Sequence, residues 1–414
     1  DGGPPGGLRR RVRRSTPAVA AALIALAACG GSPVPRASAS PSPTVAGPSP
    51  SAAGRSRTLA DLHMVGASVG WAVAEVAGER PPPGRGAHVV RSTDGGAHWT
   101  TVLSDGRQPV DADVHDADHA WVLEADAGGD APGAQTVVVR STADGGRSWS
   151  STPSLQLEGT ASHLQFADAT HGWVFATSHA EVVNGVSQAV LYRTVDGGST
   201  WQPITALPDA CPGGGPLSAP TFADPQHGWL GASCDRVVLD TTRDGGVTWA
   251  PQPLPDFPGP PSGAPAENLL YSTDPPQFSS PSEGAVFVHR GITTGANALQ
   301  DAALLVTHNG GATWVAHRLP AAELQAGFVD PDHGWMVGAG PGGDAETRSL
   351  YITRDGGATW SRVAGPQDYL AGSISFVSPA EGFIGGSGGP ASAGLLLHTT
   401  DGGARWTAIA ATVP

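Results

Sequence analysis

The octapeptide Thr353-Arg-Asp-Gly-Gly-Ala-Thr-Trp360 decides the fold, because seven close copies of it recur along the 414 residues. The copies are STDGGAHW at 92–99, TADGGRSW at 142–149, TVDGGSTW at 194–201, TRDGGVTW at 242–249, THNGGATW at 307–314, TRDGGATW at 353–360 and TTDGGARW at 399–406. Asp-Gly and Gly-Gly between β-rich runs favour tight hairpins, since Gly adopts positive φ at little cost. A repeated unit of this length indicates a repeat fold.

A second motif precedes each copy. It reads FADATHGW at 166–173, FADPQHGW at 222–229 and FVDPDHGW at 328–335, with degenerate copies at 64–71, 114–121, 278–285 and 376–383. All twelve Trp residues fall in one motif or the other. Each repeat therefore predicts four strands: A ends at the Phe, B begins at the Trp, C is a β-rich run, and D begins at the Trp of the octapeptide. We predict an all-β, seven-bladed β-propeller of four antiparallel strands per blade over residues 59–414.

The octapeptide resembles the Asp-box, or BNR repeat, of sialidases and related propellers. The pairing of the two motifs is similar to the photosystem II stability/assembly factor family. That resemblance implies a structural Asp-box turn between strands C and D, away from the binding face. An Asp in a turn accepts nearby backbone N–H groups, which agrees with this role. The structural Asp-box residues are then Asp94, Asp144, Asp196, Asp244, Asn309, Asp355, Asp401, Trp99, Trp149, Trp201, Trp249, Trp314, Trp360 and Trp406.

The N-terminal residues read as an export signal. A basic run at 9–14 precedes the eleven apolar residues AVAAALIALAA at 18–28, too few to span a bilayer. The segment ends in Leu26-Ala-Ala-Cys29, which resembles the lipobox of bacterial lipoproteins and implies lipidation of Cys29. An ordinary secretory signal is the alternative. We expect a signal peptide at 1–28, a disordered Ser/Pro/Ala linker at 29–58, and a protein on the outer face of the cell membrane.

Composition and motifs argue against most other functions. Residues 59–414 hold 15 Arg and 36 acidic residues, a formal charge of −21, which disfavours nucleic-acid binding. The Arg-Ile-Pro motif that a sialidase requires is missing, and the phosphate-loop, Gly-x-Ser-x-Gly and His-Glu-x-x-His motifs do not occur. The acidic and His-rich run 111–119 looks like a metal cluster, but Asp116 and His119 align with the repeated A–B turn. We expect no catalytic residue, cofactor or metal.

Binding is expected on one face of the propeller. The connections between strands B and C, and between D and the next A, hold the irregular length of the chain, and irregular loops on a rigid scaffold commonly bind ligands. These loops could instead be spacers. Cys211 and Cys234 fall on the same face, and an exported protein favours a disulfide between them over two free thiols.

The function that follows is a monomeric, non-catalytic binding or scaffold module for a protein, a glycan or an envelope component. Two alternatives remain open. One is a glycoside hydrolase with paired carboxylates on the loop-rich face. The other is an assembly factor or chaperone for a membrane complex, as the family resemblance suggests.

Overall fold

The computed structural model describes residues 57–76, 87–126, 134–183, 186–204, 206–208, 211, 215–259, 269–292, 299–339, 348–363, 372–385 and 395–414. The chain divides into two units, Asp1–Ala52 and Ala53–Pro414, and every described residue belongs to the second. The predicted signal peptide, Cys29 and nearly all of the linker lie outside the described residues. The described part contains no helix, and hence none that could cross a membrane.

The second unit is a seven-bladed β-propeller, which confirms the predicted fold class. Blades 1 to 3 comprise β1 (Arg57–Met64), β2 (Gly70–Val76), β3 (His88–Ser92) and β4 (Trp99–Leu103); β5 (Gln108–Val114), β6 (Ala120–Ala125), β7 (Gln135–Thr142), β8 (Ser150–Ser151) and β9 (Leu155–Leu157); and β10 (Thr160–Phe166), β11 (Gly172–Val183), β12 (Val186–Thr194) and β13 (Gln202–Ile204). In each blade the strands pair antiparallel in sequence order, and β8 and β9 both pair with β7.

The other four blades follow the same order. They comprise β14 (Thr221–Phe222), β15 (Gly228–Gly231), β16 (Leu239–Thr242) and β17 (Ala250–Pro251); β18 (Leu269–Thr273), β19 (Gln277–Phe278), β20 (Gly284–Ile292), β21 (Leu299–Thr307) and β22 (Val315–Arg318); β23 (Glu323–Phe328), β24 (Gly334–Ala339), β25 (Arg348–Thr353) and β26 (Ser361–Val363); and β27 (Ser373–Phe376), β28 (Gly382–Gly385), β29 (Leu395–Thr399) and β30 (Thr407–Ala410). Strand A of blade 5 is interrupted, since β18 and β19 both pair with β20.

The Asp-box is a closed set of hydrogen bonds around the turn between strands C and D. In blade 6, Asp355 Oδ1 accepts the Thr359 N–H at 2.8 Å, and Asp355 Oδ2 accepts the Thr359 hydroxyl at 2.6 Å. The Thr353 hydroxyl donates to Asp355 and accepts the Gly357 N–H. Gly356 and Gly357 have φ of 64° and 86°, a region that disfavours any side chain. The octapeptide is therefore a self-contained turn.

A repeated hydrogen bond joins the two sequence motifs within each blade. The first Gly of every Asp-box donates its N–H to a carbonyl of the A–B turn, as Gly356 does to Asp332 at 2.9 Å. The seven donors are Gly95, Gly145, Gly197, Gly245, Gly310, Gly356 and Gly402. The A–B and C–D turns consequently lie on the same face of the propeller.

Aromatic rings connect successive blades. The Trp at the second position of strand B stacks on the Phe that ends strand A of the next blade, with ring centroids 3.6 Å apart for Trp173 and Phe222 and 3.4 Å for Trp229 and Phe278. That Phe in turn meets the Asp-box Trp of its own blade edge-on, as Phe222 meets Trp249. The Trp residues of strand B are buried, whereas most of the Asp-box Trp residues are half-buried.

The ring closes through the end of the chain rather than through an exchanged strand. Every blade is built from consecutive strands, and blades 7 and 1 share a cluster that contains Met64, Phe383 and Leu396. Beyond β30, Thr412 forms a parallel bridge with blade 1: its N–H donates to Ala97 O and its carbonyl accepts the Trp99 N–H, both at 2.9 Å. A short segment after the last strand therefore seals the junction.

Candidate functional site: the central pocket

A cavity of about 670 Å³ lies at the centre of the propeller, where the innermost strands A face one another. Polar side chains line it in pairs two residues apart, because alternate residues of a strand point to the same side. The pairs are Asp61 and His63 on β1, Asp111 and Asp113 on β5, His163 and Gln165 on β10, and Glu323 and Gln325 on β23. The lining continues onto the A–B turns of blades 5 and 6 through Ser279, Glu283 and Pro331.

Backbone irregularities accompany these pairs. The A–B register shifts beside the pocket in blades 1, 2, 3 and 6, and such bulges redirect side chains. Asp61 has a φ of 48° and is the one non-glycine residue with positive φ in the described part of the chain. Backbone conformations of this kind tend to occur at functional sites. The strain therefore falls in the wall of the pocket.

Part of the polar lining is structural. Asp113 accepts the Phe166 N–H at 2.6 Å, Gln165 bonds both the N–H and the carbonyl of Phe222, and Gln277 donates to Ala326 O. Each of these side chains precedes the last residue of its strand A and bonds the inner strand of the following blade. These residues connect neighbouring blades, so their polarity alone does not indicate a ligand.

Histidine–carboxylate pairs also contribute to this wall. His63 Nε2 lies 3.1 Å from Asp61 Oδ1, and His163 Nδ1 lies 3.0 Å from Asp111 Oδ2. Burial opposes protonation of His63, but its hydrogen bond to Asp61 and the charges of Asp61, Asp111 and Asp113 raise its pKa overall. The hydrogen bond that His115 makes to Asp113 likewise raises the pKa of His115. The carboxylates therefore favour the protonated, positively charged form of these two histidines.

A second group, here called the triad, consists of Asp274, His289 and Glu323. Asp274 occupies the break between β18 and β19, His289 lies on β20, and Glu323 opens β23 in the next blade. His289 Nε2 lies 3.0 Å from Asp274 Oδ1 and 3.3 Å from Glu323 Oε2. The exposed fraction is 9% for His289 and 2% for Glu323. Three buried atoms, Glu323 Oε1, Glu323 Oε2 and His289 Nδ1, have no hydrogen-bond partner.

Burial and charge act in opposite directions within the triad. Burial raises the pKa of Glu323, and the nearby Asp274 charge adds to that effect. Burial would lower the pKa of His289, but the Asp274 and Glu323 carboxylates raise it to about 10. Burial opposes ionisation of Asp274, yet its hydrogen bond to His289 lowers its pKa overall. The triad holds two carboxylates around one imidazole, an arrangement that attracts a cation.

The sequence-predicted residues occupy different places. None of the Asp-box Asp, Asn or Trp residues lines the central pocket. Asp116 and His119 lie in the A–B turn of blade 2, where Asp116 Oδ1 accepts the Asp118 and His119 N–H groups. Asp111 and Asp113 of the same run instead lie on β5 and line the pocket. The run is thus divided between a turn and the pocket wall.

The two body cysteines form a disulfide, with Cα atoms 5.7 Å apart. Cys234 lies beyond the end of strand B, since β15 stops at Gly231. It lies three residues further on and pairs with Tyr271 of blade 5. The irregular connections expected to bind ligands fall largely outside the described residues, among them 77–86, 127–133, 260–268, 293–298, 340–347 and 386–394.

Sequence reasoning missed the pocket and the triad. A usable signal was present, because polar residues stand one and three positions before the residue that ends strand A: Asp61 and His63 before Met64, Asp111 and Asp113 before Val114, His163 and Gln165 before Phe166, and Ser373 and Ser375 before Phe376. The triad gives no such signal, since its members come from a strand break, a strand B and a neighbouring blade.

Fold and site together define a seven-bladed Asp-box propeller with an acidic central pocket. Residues 306–413, from the end of β21 through blade 7, match the family described as Photosynthesis system II assembly factor YCF48. No curated protein matches the chain.

Solved structures similar to this chain include a YCF48 bound to a D1 peptide, 20% identical, which covers 84% of this chain and 92% of its own with a TM-score of 0.46. A YCF48 from Cyanidioschyzon merolae is 16% identical, covers 75% and 88%, and also has a TM-score of 0.46. An ulvan lyase of polysaccharide lyase family PL25 is 11% identical and covers 85% and 93%, with a TM-score of 0.50. At these identities the likeness concerns the fold.

Proposed function

We propose that this protein is an exported, membrane-anchored and non-catalytic binding module, which holds a positively charged segment of another protein in its central pocket. The observation that carries this proposal is the charge of the lining. Seven acidic residues and three His line the cavity, and none of the lining residues is Arg. The chain contains no Lys.

The electrostatics favour a cationic partner. Acidic groups that line a concave site concentrate the negative potential and attract cations, and the whole body adds to this field. A ligand that carries carboxylates or sulfates would find no guanidinium in the described wall to pair with. This argues against acidic sugars as the occupant. The match of residues 306–413 to a family of assembly factors supports a polypeptide partner.

Peptide binding measured by fluorescence anisotropy tests the proposal. Arg- and Lys-rich peptides should bind more tightly than Asp- and Glu-rich peptides of equal length, and their affinity should fall as salt rises. Asp61→Asn should weaken binding of the basic peptides. Asp235→Asn is the matched control, because Asp235 is exposed and outside the pocket. Equal binding of both peptide classes, or equal effects of the two variants, would contradict the proposal.

A glycoside hydrolase is the second candidate, and one observation favours it. The pKa of Asp274 is lowered while that of the nearby Glu323 is raised, the pattern by which one carboxylate acts as a base and another as an acid. Against it, Glu323 is almost fully buried. Reducing-sugar release from a panel of neutral polysaccharides tests this candidate. Activity that Glu323→Gln abolishes would establish the enzyme and displace the binding module.

A further inference from the structure

We propose that Asp274, His289 and Glu323 bind a divalent transition-metal ion, with Zn²⁺ as the best fit. This site goes beyond the proposed binding of a polypeptide and does not depend on it. Imidazole nitrogen and carboxylate oxygen are ordinary zinc ligands. The metal would lie in the wall of the central pocket, of which Asp274 and Glu323 are part.

The spacing of the three donor atoms fits a single ion. Donors about 2.0–2.2 Å from a tetrahedral Zn²⁺ are roughly 3.3–3.6 Å from one another. In the triad, His289 Nε2 is 3.0 Å from Asp274 Oδ1 and 3.3 Å from Glu323 Oε2. All three ligand atoms fall within 4.8 Å of each other. Small side-chain adjustments would bring them to equal distances from one centre.

The second observation is the buried carboxylate of Glu323. Its Oε1 atom is buried and lacks a hydrogen-bond partner, in a side chain that is 1% exposed. An unpaired carboxylate oxygen away from water is strongly unfavourable. A bound cation beside Oε2 would supply the missing charge compensation. The alternative is that the three groups share protons and hold no metal.

The ligand set narrows the choice of ion. Mg²⁺ and Ca²⁺ prefer six or more oxygens, whereas an imidazole favours Zn²⁺ and its neighbours in the transition series. Among these, the general order of affinity places Zn²⁺ above Mn²⁺. Three protein ligands leave a fourth position of a tetrahedral ion free, which is the arrangement of zinc sites that accept an external donor. An open position beside the pocket would allow a partner group to coordinate the metal.

Titration calorimetry on the full chain, after removal of metal with a chelator, tests the site with Zn²⁺ alone. One strong site per chain is expected, with Mn²⁺ weaker and Mg²⁺ without measurable binding. Glu323→Gln should lower the Zn²⁺ affinity by at least about tenfold, because it removes a charged ligand. Glu283→Gln is the matched control, since Glu283 also lines the pocket but lies outside the triad. It should bind Zn²⁺ as the unaltered chain does.

Exposed His–Asp pairs could also bind zinc, so a second comparison separates them. His289→Gln should lose the strong site, while His171→Gln, which alters a surface pair with Asp168, should keep it. Zn²⁺ should also raise the Tm of the unaltered chain, since a ligand that binds only the folded state stabilises it. No strong Zn²⁺ site, or one that persists in Glu323→Gln and His289→Gln, would overturn the proposal. If those variants do not fold, X-ray absorption of the zinc-loaded chain decides. A zinc coordination shell that does not contain one imidazole nitrogen together with carboxylate oxygens would reject the site.

Discussion

At the scale of single residues, the two kinds of Trp differ in what they contribute. Trp99 is 4% exposed and belongs to the cluster at the junction of blades 7 and 1. Trp360, in the equivalent position of blade 6, is half-buried beside Phe328. The sequence does not distinguish these two residues, because the octapeptides that contain them are nearly identical.

Trp99→Ala should lower the free energy of unfolding by about 3–5 kcal/mol, as loss of a fully buried aromatic does. Trp360→Ala should cost less, because more of its ring already contacts water. Chemical denaturation of the two variants measures the difference. Equal losses would show that the burial of the ring does not set its contribution.

The Asp-box carboxylates should make the fold sensitive to acid. The backbone N–H of His98 lowers the pKa of Asp94 to about 2, and the side chains of Ser148 and Arg405 do the same for Asp144 and Asp401. A carboxyl group whose pKa is lower in the folded state stabilises the fold fully above its unfolded pKa, and this stabilisation is lost as the pH falls through the folded value. Urea midpoints should therefore decline between about pH 4 and pH 2.

Asp355→Asn is the control for this acid sensitivity. Asn309 shows that an amide fits the turn, since its Oδ1 accepts the Thr313 N–H at 2.9 Å and its Nδ2 donates to the Thr313 hydroxyl. The variant should fold, and its stability should fall less between pH 4 and pH 2 because one titrating group is gone. An unchanged pH dependence would mean that the boxes do not control acid unfolding.

At the scale of strands and turns, the disulfide stabilises a blade with short inner and outer strands. β14 and β17 of blade 4 each contain two residues, and the Cys211–Cys234 bridge ties the chain ahead of β14 to the residues that follow β15. A closed loop of 23 residues stabilises by about 3 kcal/mol in the chain-entropy estimate. Reduction should lower stability by about that amount, and mass spectrometry of a non-reduced digest should show the two cysteine peptides linked. Free thiols at both positions would contradict this.

The sequence predicts the strands and turns of the propeller well where a turn is encoded locally. The Asp-Gly-Gly turn and the strand-B Trp both carry their structure within eight residues, so seven blades follow from seven copies. The interruption of strand A in blade 5 does not follow from the repeat. Asp274-Pro-Pro stands at that point, and Pro has no N–H to pair with strand B. The central pocket left a local signal in the polar residues one and three positions before the end of strand A. Residues from six blades meet there, however, and that pattern does not record which blades face one another.

At the scale of the whole molecule, the proposed membrane anchor depends on one residue. Cys29→Ser should release the protein from membranes into the medium, because the predicted lipid is attached through that side chain. Fractionation of cells that express either form measures this. If the two forms fractionate alike, the N-terminal segment is an ordinary signal and the protein is not a lipoprotein.

The bridge between Thr412 and blade 1 makes closure of the ring a late event in folding. Blades built from consecutive strands can each form as soon as their own residues are free to pair, so order can spread from the N-terminal side. Blade 1 nevertheless keeps an uncovered flank until residue 412 emerges, because its neighbour across the junction is the last blade made. Until then the propeller is an open arc, and the central pocket becomes a pocket only when the last blade meets the first.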